Sequence, residues 1–435
     1  MSRRRATPMR LILALLVTAA ATAPRASAAE VSLPLRGYYR VGEYFPLRVS
    51  GAETEPTVEL RGEGLLPVRL TGAANTIVPM LVLDRPGAEL TVAGKRVPVE
   101  LRELSADERL VGTIGTTEGL PDGLFAPDKK IVRLPLDRDA AGLPPLYGRA
   151  IAWEALDAVV ADVALPEAAG PEVIATLLGR GVTLAVRADL KPDARWPWRQ
   201  QGRWWVMRHD PVGPASAVAP AAYAPVAGWS PGLSHTVRTR VVAAAVLIAI
   251  ADLAAVLLLP RRLGLPGVLI VTAAAAVTIP AWAARQKTLA RIEGDVVTRT
   301  GELAQMDSWS YLTDPRDATW TGPWTDADVR PMLASPEHAA RMDMTLECFG
   351  DRGPQRLTAR LQRNLKLAVL TRSLGPWKPP RWGITSEVNS PMRALINEAY
   401  LAPGVRVVGQ EPAKQTQQRE MPTVVLEKRR GGNTE

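Results

Sequence analysis

Two long apolar runs, separated by only five residues, constrain this chain more than any other feature. The first extends from Val241 to Leu259 and the second from Leu265 to Ala284. A helix needs about 17 to 25 residues to cross the hydrocarbon core of a bilayer. Neither run has the polar face of a surface helix. We therefore predict a transmembrane helical hairpin (241–259 and 265–284) within a membrane region at 238–285; two buried helices of a soluble protein are the alternative.

The first 28 residues have the composition of a secretory signal peptide. Arginines dominate the start, an apolar stretch follows from Leu11 to Ala23, and Ala26-Ser27-Ala28 has the spacing of a cleavage site. The apolar stretch is shorter than a membrane span. We predict export with removal of residues 1–28, and an uncleaved anchor is the alternative.

The net charge of +9 at first suggests a nucleic-acid binder. Five arginines, with no acidic residue among them, lie in residues 1–29, so the predicted mature chain carries less than half of this excess. The sequence thus indicates no nucleic-acid partner. The single cysteine, Cys348, has no second cysteine with which to form an internal disulfide.

Short alternating runs characterise both ends of the mature chain. Between residues 30 and 105, runs such as Tyr44–Val49 and Thr57–Leu60 alternate apolar and polar residues between turns, which predicts an immunoglobulin-like β-sandwich. A second set of strand-like runs predicts a β-rich domain at 286–409. The polar residues 410–435 are predicted to form a mobile tail.

Residues 106–214 have a different pattern, in which apolar strand-like runs surround one helix. Leu110–Gly115, Ala158–Val163 and Val182–Val186 have the composition of buried parallel strands. Pro171 to Arg180 predicts a crossover helix, with a proline at its start and Gly181 just after its end. We predict an α/β layer here, followed by a linker at 215–237.

The segments Trp153–Val160 and Leu177–Val186 resemble those of class I glutamine-amidotransferase-like domains. The resemblance implies a flavodoxin-like α/β domain in an exported bacterial membrane protein. Active members of that family use a cysteine nucleophile, a histidine base and an orienting glutamate. Residues 106–214 contain no cysteine, and His209-Asp210-Pro211 does not reproduce the His-x-Glu pattern of the family. We therefore expect a degenerate domain with no catalytic residues, no cofactor and no metal site.

The predicted fold class is a multi-domain α+β membrane protein comprising the β-sandwich, the α/β layer, the transmembrane hairpin and the β-rich domain. The predicted function is a non-enzymatic interaction or assembly component of the cell envelope. It would lie in the bacterial inner membrane, with both large domains on the extracytoplasmic side and with the lipid bilayer and other membrane or envelope proteins as partners.

Two other functions are considered. The first is an envelope hydrolase that acts on a small amide or ester through the α/β domain. The second is a glycan-binding receptor, suggested by tryptophans that alternate with arginines between residues 195 and 208. Packing or contact with a membrane interface is the favoured explanation of these tryptophans.

Asp252 is the only ionisable residue within either apolar run. A charged side chain at the centre of a membrane helix costs about 2.5–3.5 kcal/mol, so such a residue is a functional candidate. Antiparallel packing around a turn near Arg262 predicts that Asp252 lies opposite Thr272. We expect this pair to be a polar site that binds another membrane protein; an aspartate that is merely tolerated is the alternative.

Overall fold

The computed structural model of the chain is rich in β-strands. It describes residues 30–428 except 51–56, 73–74, 116–118, 122, 137–142, 167–168, 191–195, 227–234, 259–260, 286–289, 314–317, 351, 363–364, 377–392, 394, 401–404, 411–418 and 421–423. The predicted signal peptide and much of the predicted tail lie outside the described residues.

The first part of the described chain forms nine strands with alternating burial. In β4, for example, Val58 and Leu60 point into the core while Thr57 and Arg61 are exposed, as expected for a strand with one buried face. The strands are β1 (Glu30–Ser32), β2 (Tyr38–Tyr39), β3 (Tyr44–Ser50), β4 (Thr57–Gly62), β5 (Val68–Thr71), β6 (Asn75–Leu81), β7 (Glu89–Val92), β8 (Lys95–Pro98) and β9 (Arg102–Glu103).

The next part forms a mixed sheet and the predicted helix. Proline at the first turn and Gly181, whose φ is +88°, bound this helix, because glycine accepts a left-handed backbone without strain. The elements are β10 (Glu108–Ile114), β11 (Lys130–Pro135), a 3-10 turn at Ala150–Trp153, β12 (Ala158–Ala161), α1 (Pro171–Gly179), β13 (Thr183–Arg187), β14 (Arg199–Gln201) and β15 (Trp204–Met207).

The predicted flavodoxin-like α/β layer is wrong. The strand order is β11-β10-β12-β13-β15-β14, with parallel pairing from β11 to β13 and antiparallel pairing beyond β13. A doubly wound layer needs helices on both faces, but α1 is the only α-helix in the described part of this region. Pro144 and Pro145 precede the 3-10 turn between β11 and β12, where a crossover helix would be required.

The two apolar runs form α2 (His235–Leu258) and α3 (Arg261–Arg285), which pack against each other. The predicted transmembrane hairpin is nevertheless wrong, because no helix within the described residues is both long and apolar enough to cross a membrane. Asp252 interrupts the apolar run of α2 eleven residues after Val241 begins it. The apolar run of α3 contains Pro266 and Pro280 and is rich in alanine, which is less hydrophobic than leucine or valine.

The chain after the hairpin is again built of strands. These are β16 (Ala290–Thr300), β17 (Leu303–Thr313), β18 (Ala318–Thr321), β19 (Val329–Met332), β20 (Asp343–Phe349), β21 (Gln355–Leu361), β22 (Lys366–Pro376), β23 (Val405–Gln410), β24 (Arg419–Glu420) and β25 (Val424–Lys428). A short helix, α4 (Pro336–Ala340), precedes β20, and a π-helical turn spans Ile396–Tyr400.

The two ends of the chain share one sheet. Its order is β18-β21-β20-β5-β4-β7-β8, and it is joined where β20 pairs in parallel with β5, with Leu346 opposite Val68. The predicted immunoglobulin-like sandwich is therefore not self-contained, because three strands from beyond the hairpin complete its larger sheet. Three further sheets have the orders β1-β3-β6, β2-β9 and β19-β22-β17-β16-β25-β23, and β24 pairs with β16 in the last of them.

A buried ion pair links the three strand-rich regions. Glu154, just after the 3-10 turn, accepts a hydrogen bond from Arg330 of β19, and its second oxygen accepts one from the Tyr44 backbone N–H at 3.2 Å. Arg180 Nε lies 3.8 Å from the same carboxylate. Burial lowers the pKa of both arginines to about 10, so both are charged at neutral pH.

The predicted linker is packed against these regions up to residue 226. The Ala217 N–H donates to Gly42 O at 2.8 Å, and the Leu333 N–H donates to Ala217 O at 2.7 Å. Small side chains allow this close approach, and a 3-10 turn at Pro220–Val226 follows. The Tyr311 hydroxyl fixes that turn by donating to Ala222 O at 2.9 Å.

A second buried polar cluster holds the residues that precede this segment. Asp307 and Arg372 form two hydrogen bonds of 2.7 Å each, and the Tyr400 hydroxyl donates to the same carboxylate at 2.7 Å. Gln305 donates to Val212 O at 2.6 Å. Gly213 lies so close to the Tyr400 ring that a Cβ there would be 2.6 Å from it, which is why glycine is required.

The Glu154–Arg330 pair predicts a large cost when one partner is removed. Arg330→Met should lower the free energy of unfolding by about 3–5 kcal/mol, because Glu154 would lose its hydrogen-bonded cation and stay buried with only Arg180 Nε, 3.8 Å away. The exposed Arg61–Glu59 pair provides the matched control, and Arg61→Gln should cost less than about 1 kcal/mol. Urea denaturation followed by tryptophan fluorescence measures both changes. Equal losses in the two variants would show that the buried pair has no special role.

Candidate functional site

The helical hairpin carries the largest set of exposed apolar side chains in the described structure. We call this set the apolar hairpin surface, and its members are 44–72% exposed. They are Val242, Val246, Leu247, Ile250, Leu253, Val256 and Leu257 of α2, and Leu269, Ile270, Val271 and Val277 of α3. Continuous apolar exposure of this kind marks a surface that contacts another molecule.

Five described residues of α2 are half-buried, and all of these except Ala254 recur at a spacing that identifies the side of that helix that contacts α3. The four are Val241, Ala244, Ile248 and Asp252, which recur every three or four residues as expected for one side of a helix. Most of the other described side chains of α2 are apolar and exposed. Helices that are apolar all round are normally covered by other apolar groups.

Asp252 and Thr272, the polar residues expected from the sequence to face each other, lie together in the structure. The Thr272 hydroxyl donates a hydrogen bond of 3.0 Å to Asp252 Oδ2. The connection between α2 and α3 is so short that the two helices must run antiparallel, which sets residues equally distant from the turn side by side. This pair is a polar position within the otherwise apolar hairpin.

His209, which follows β15, is buried against a glutamine. Its Nε2 lies 3.4 Å from Gln305 Oε1. Burial lowers the pKa of His209, with a smaller opposing effect from Gln305. The imidazole therefore joins the segment after β15 to β17 as a neutral side chain.

Cys348 lies in β20, remote from the mixed sheet in sequence, and is buried. Burial raises the pKa of its thiol to about 11, despite the nearby Arg149. A thiol with such a pKa is a poor nucleophile at neutral pH. Within the described residues, no group of three or more His, Cys, Asp or Glu side chains has the arrangement of a metal site.

The tryptophans form no exposed shelf in the described part of the chain. Trp309 is buried and stacks on Tyr311, with ring centroids 5.8 Å apart. Trp204 is also buried, and Trp196 and Trp198 are partly buried against the main core. Trp324 is exposed, and the Arg356 guanidinium lies over its ring. These positions correspond to the packing role that the sequence favours.

The lowered pKa of His209 predicts a pH dependence of stability. Unfolded histidine takes up a proton as the pH falls through about 6.5, whereas folded His209 takes it up only at lower pH. Its stabilising contribution is thus present above pH 6.5 and is lost as the pH falls below that value. The wild-type protein should lose more unfolding free energy between pH 7 and pH 5 than His209→Gln does, as measured by urea denaturation. Parallel pH profiles would contradict this assignment.

The Asp252–Thr272 hydrogen bond predicts a local change in the hairpin. Thr272→Val should weaken helix packing by about 0.5–1.5 kcal/mol, the usual net contribution of one hydrogen bond, and accelerate amide hydrogen exchange in α2 and α3. Thr278→Val is the matched control, because the Thr278 hydroxyl bonds to Ala274 O of its own helix, at 2.7 Å. Mass spectrometry of exchange in mild detergent distinguishes the variants. Identical exchange in the two variants would show that the bond does not hold the helices together.

Comparison with known proteins adds no family assignment. The chain matches no protein-family model and no curated protein sequence.

Proposed function

We propose that this protein is a non-enzymatic interaction or assembly component of the bacterial cell envelope, and that the helical hairpin is its binding element. The apolar hairpin surface carries this proposal. Removing apolar surface from water stabilises a complex by roughly 25 cal/mol for each Å² buried. A partner that covers the eleven large apolar side chains of this surface would therefore bind with a favourable free energy. Strand-rich regions precede and follow the hairpin in the sequence.

The chemistry of the hairpin favours apolar helices of another envelope protein as the partner. Both helices are rich in alanine, and small residues allow helix backbones to approach closely. Asp252 adds a carboxylate that is only half buried, and one of its oxygens accepts the Thr272 hydroxyl. A donor on a partner helix can reach the other oxygen, which would fix the position of the two proteins relative to each other.

Localisation is inferred from the amino-terminal segment. The signal-like residues 1–28 favour export, so we propose that the strand-rich regions lie on the extracytoplasmic side of the inner membrane. An apolar hairpin surface is compatible with a position at the bilayer, whose lipids are a second proposed contact. The hydrolase and glycan-receptor alternatives lack a comparable supporting feature in the described residues.

Site-specific photo-crosslinking tests the proposed partner. A photoreactive amino acid replaces Ile250, which is 58% exposed on α2, in cells that produce the protein naturally. The same amino acid at Lys95, on the exposed strand β8, is the control. Mass spectrometry should locate Ile250 crosslinks in an apolar helix of another envelope protein, and Lys95 should not give that product.

The Asp252→Leu substitution in the same background tests the polar contact. The crosslinked product should decrease, because the leucine cannot accept a hydrogen bond from the partner. Crosslinks from position 250 to lipid alone, or only to a second copy of this chain, would contradict the proposed partner. A product that is unchanged by Asp252→Leu would assign recognition to the apolar residues and leave Asp252 as merely tolerated.

A further inference from the structure

Two adjoining cavities form a groove at the edge of the mixed sheet, remote in sequence from the hairpin. One has a volume of about 280 Å³ and lies between β13–β15 and the C-terminal strands. The other has a volume of about 380 Å³ and lies along the loop before β11. Both are lined by Gly123, Leu124 and Arg208. Because they share these three residues, we treat them as one feature and call it the basic groove.

Positive side chains dominate the lining of the basic groove. Arg199, Arg208 and Lys428 line the first cavity, and Arg109, Lys129 and Arg208 line the second. Asp210 is the only acidic residue among the described residues that line either cavity. A cleft lined mainly by one sign of charge concentrates its electric field and attracts ions of the opposite sign.

The contacts of the cations in the first cavity leave room for an anion. Arg208 Nε pairs with Asp210 Oδ1 at 3.2 Å, but both side chains are about 60% exposed, and exposed pairs of this type are weak. Lys428 Nζ donates to Asp210 O, a neutral acceptor, at 3.2 Å. The charge of Lys428 is thus not neutralised by this contact, and that of Arg208 is opposed only by a weak exposed pair.

The cations in the second cavity are also only partly neutralised. Arg109 donates to the backbone carbonyls of Ala106 and Glu108, and its Nε lies 3.7 Å from Asp157 Oδ1. Lys129 Nζ lies 3.4 Å from Asp128, a carboxylate that is 71% exposed. These separations exceed those of a short charged hydrogen bond, about 2.7–2.9 Å. An oxyanion in the cavity can therefore provide closer partners for both cations.

The geometry points to a binding site for a small molecule with two oxyanion groups, phosphate or carboxylate. Arginine presents a planar set of donors that matches both groups. Arg208 is shared by the two cavities, so it can contact both groups of one ligand, while Arg199 and Lys428 serve one end and Lys129 the other. Each volume is near the lower end of the usual range for ligand pockets, about 300–1,000 Å³, which favours a compact ligand.

Isothermal titration calorimetry on the full chain tests this site at low ionic strength. The probes are inorganic pyrophosphate, succinate and inorganic phosphate. We expect saturable 1:1 binding of pyrophosphate or succinate, with weaker binding of inorganic phosphate because it can occupy only one cavity. Preference between the first two identifies the phosphate or the carboxylate class.

Charge-neutralising variants locate the binding. Arg208→Gln should weaken binding of the preferred probe about tenfold or more, the loss expected for a charged hydrogen-bonding group. Arg96→Gln is the matched control, because it removes the same charge from an 81% exposed side chain on β8. Circular dichroism verifies that both variants are folded. Absence of saturable binding, or equal weakening in the two variants, would overturn the proposal.

Discussion

The contact between Glu154 and Arg330 connects parts of the protein that are far apart in sequence. Glu154 follows the 3-10 turn before β12, Arg330 belongs to β19, and the same carboxylate holds the backbone of β3 through Tyr44. Arg330 also donates to Ala215 O at 2.7 Å. A buried charge is stable only when paired and hydrogen-bonded, so these four segments must assemble together.

The protein therefore has two parts: a strand-rich body, whose segments are joined by buried charged groups, and the exposed helical hairpin. In the body, Arg372 of the Asp307–Arg372–Tyr400 cluster donates to Val212 O at 3.2 Å and so contacts the chain before the hairpin, and β16 is the next element after the hairpin. The hairpin itself has one described interhelical side-chain hydrogen bond, between Thr272 and Asp252. The buried charges therefore stabilise the fold, while the hairpin and the basic groove present surfaces on which binding is proposed.

Local sequence patterns predicted individual elements better than their assembly. The helix α1 was predicted from a proline at its start and a glycine just after its end, and the structure confirms it as Pro171–Gly179. The alternation of apolar and polar residues predicted strands such as β4. The sequence of an apolar parallel strand does not show which element covers the faces of its sheet. Here α1 packs against β22, so it does not contribute to a layer of helices. The alanine-rich segment before the hairpin was predicted to be a linker because small side chains are common both in linkers and in segments that pack closely against other strands. The groove was not predicted, since only folding brings Arg109, Arg208 and Lys428 into the lining of the two adjoining cavities.

The pairing of β5 with β20 has a consequence for synthesis of the chain. Val68 and Leu346 are opposite each other in the sheet although they are far apart in the sequence. Until the ribosome has produced β20, the edge of β5 is an unpaired strand, which is prone to join other chains. Such distant pairing also slows folding, because a long loop must close before the contact forms. This protein is therefore expected to need protection of its amino-terminal strands until translation is nearly complete.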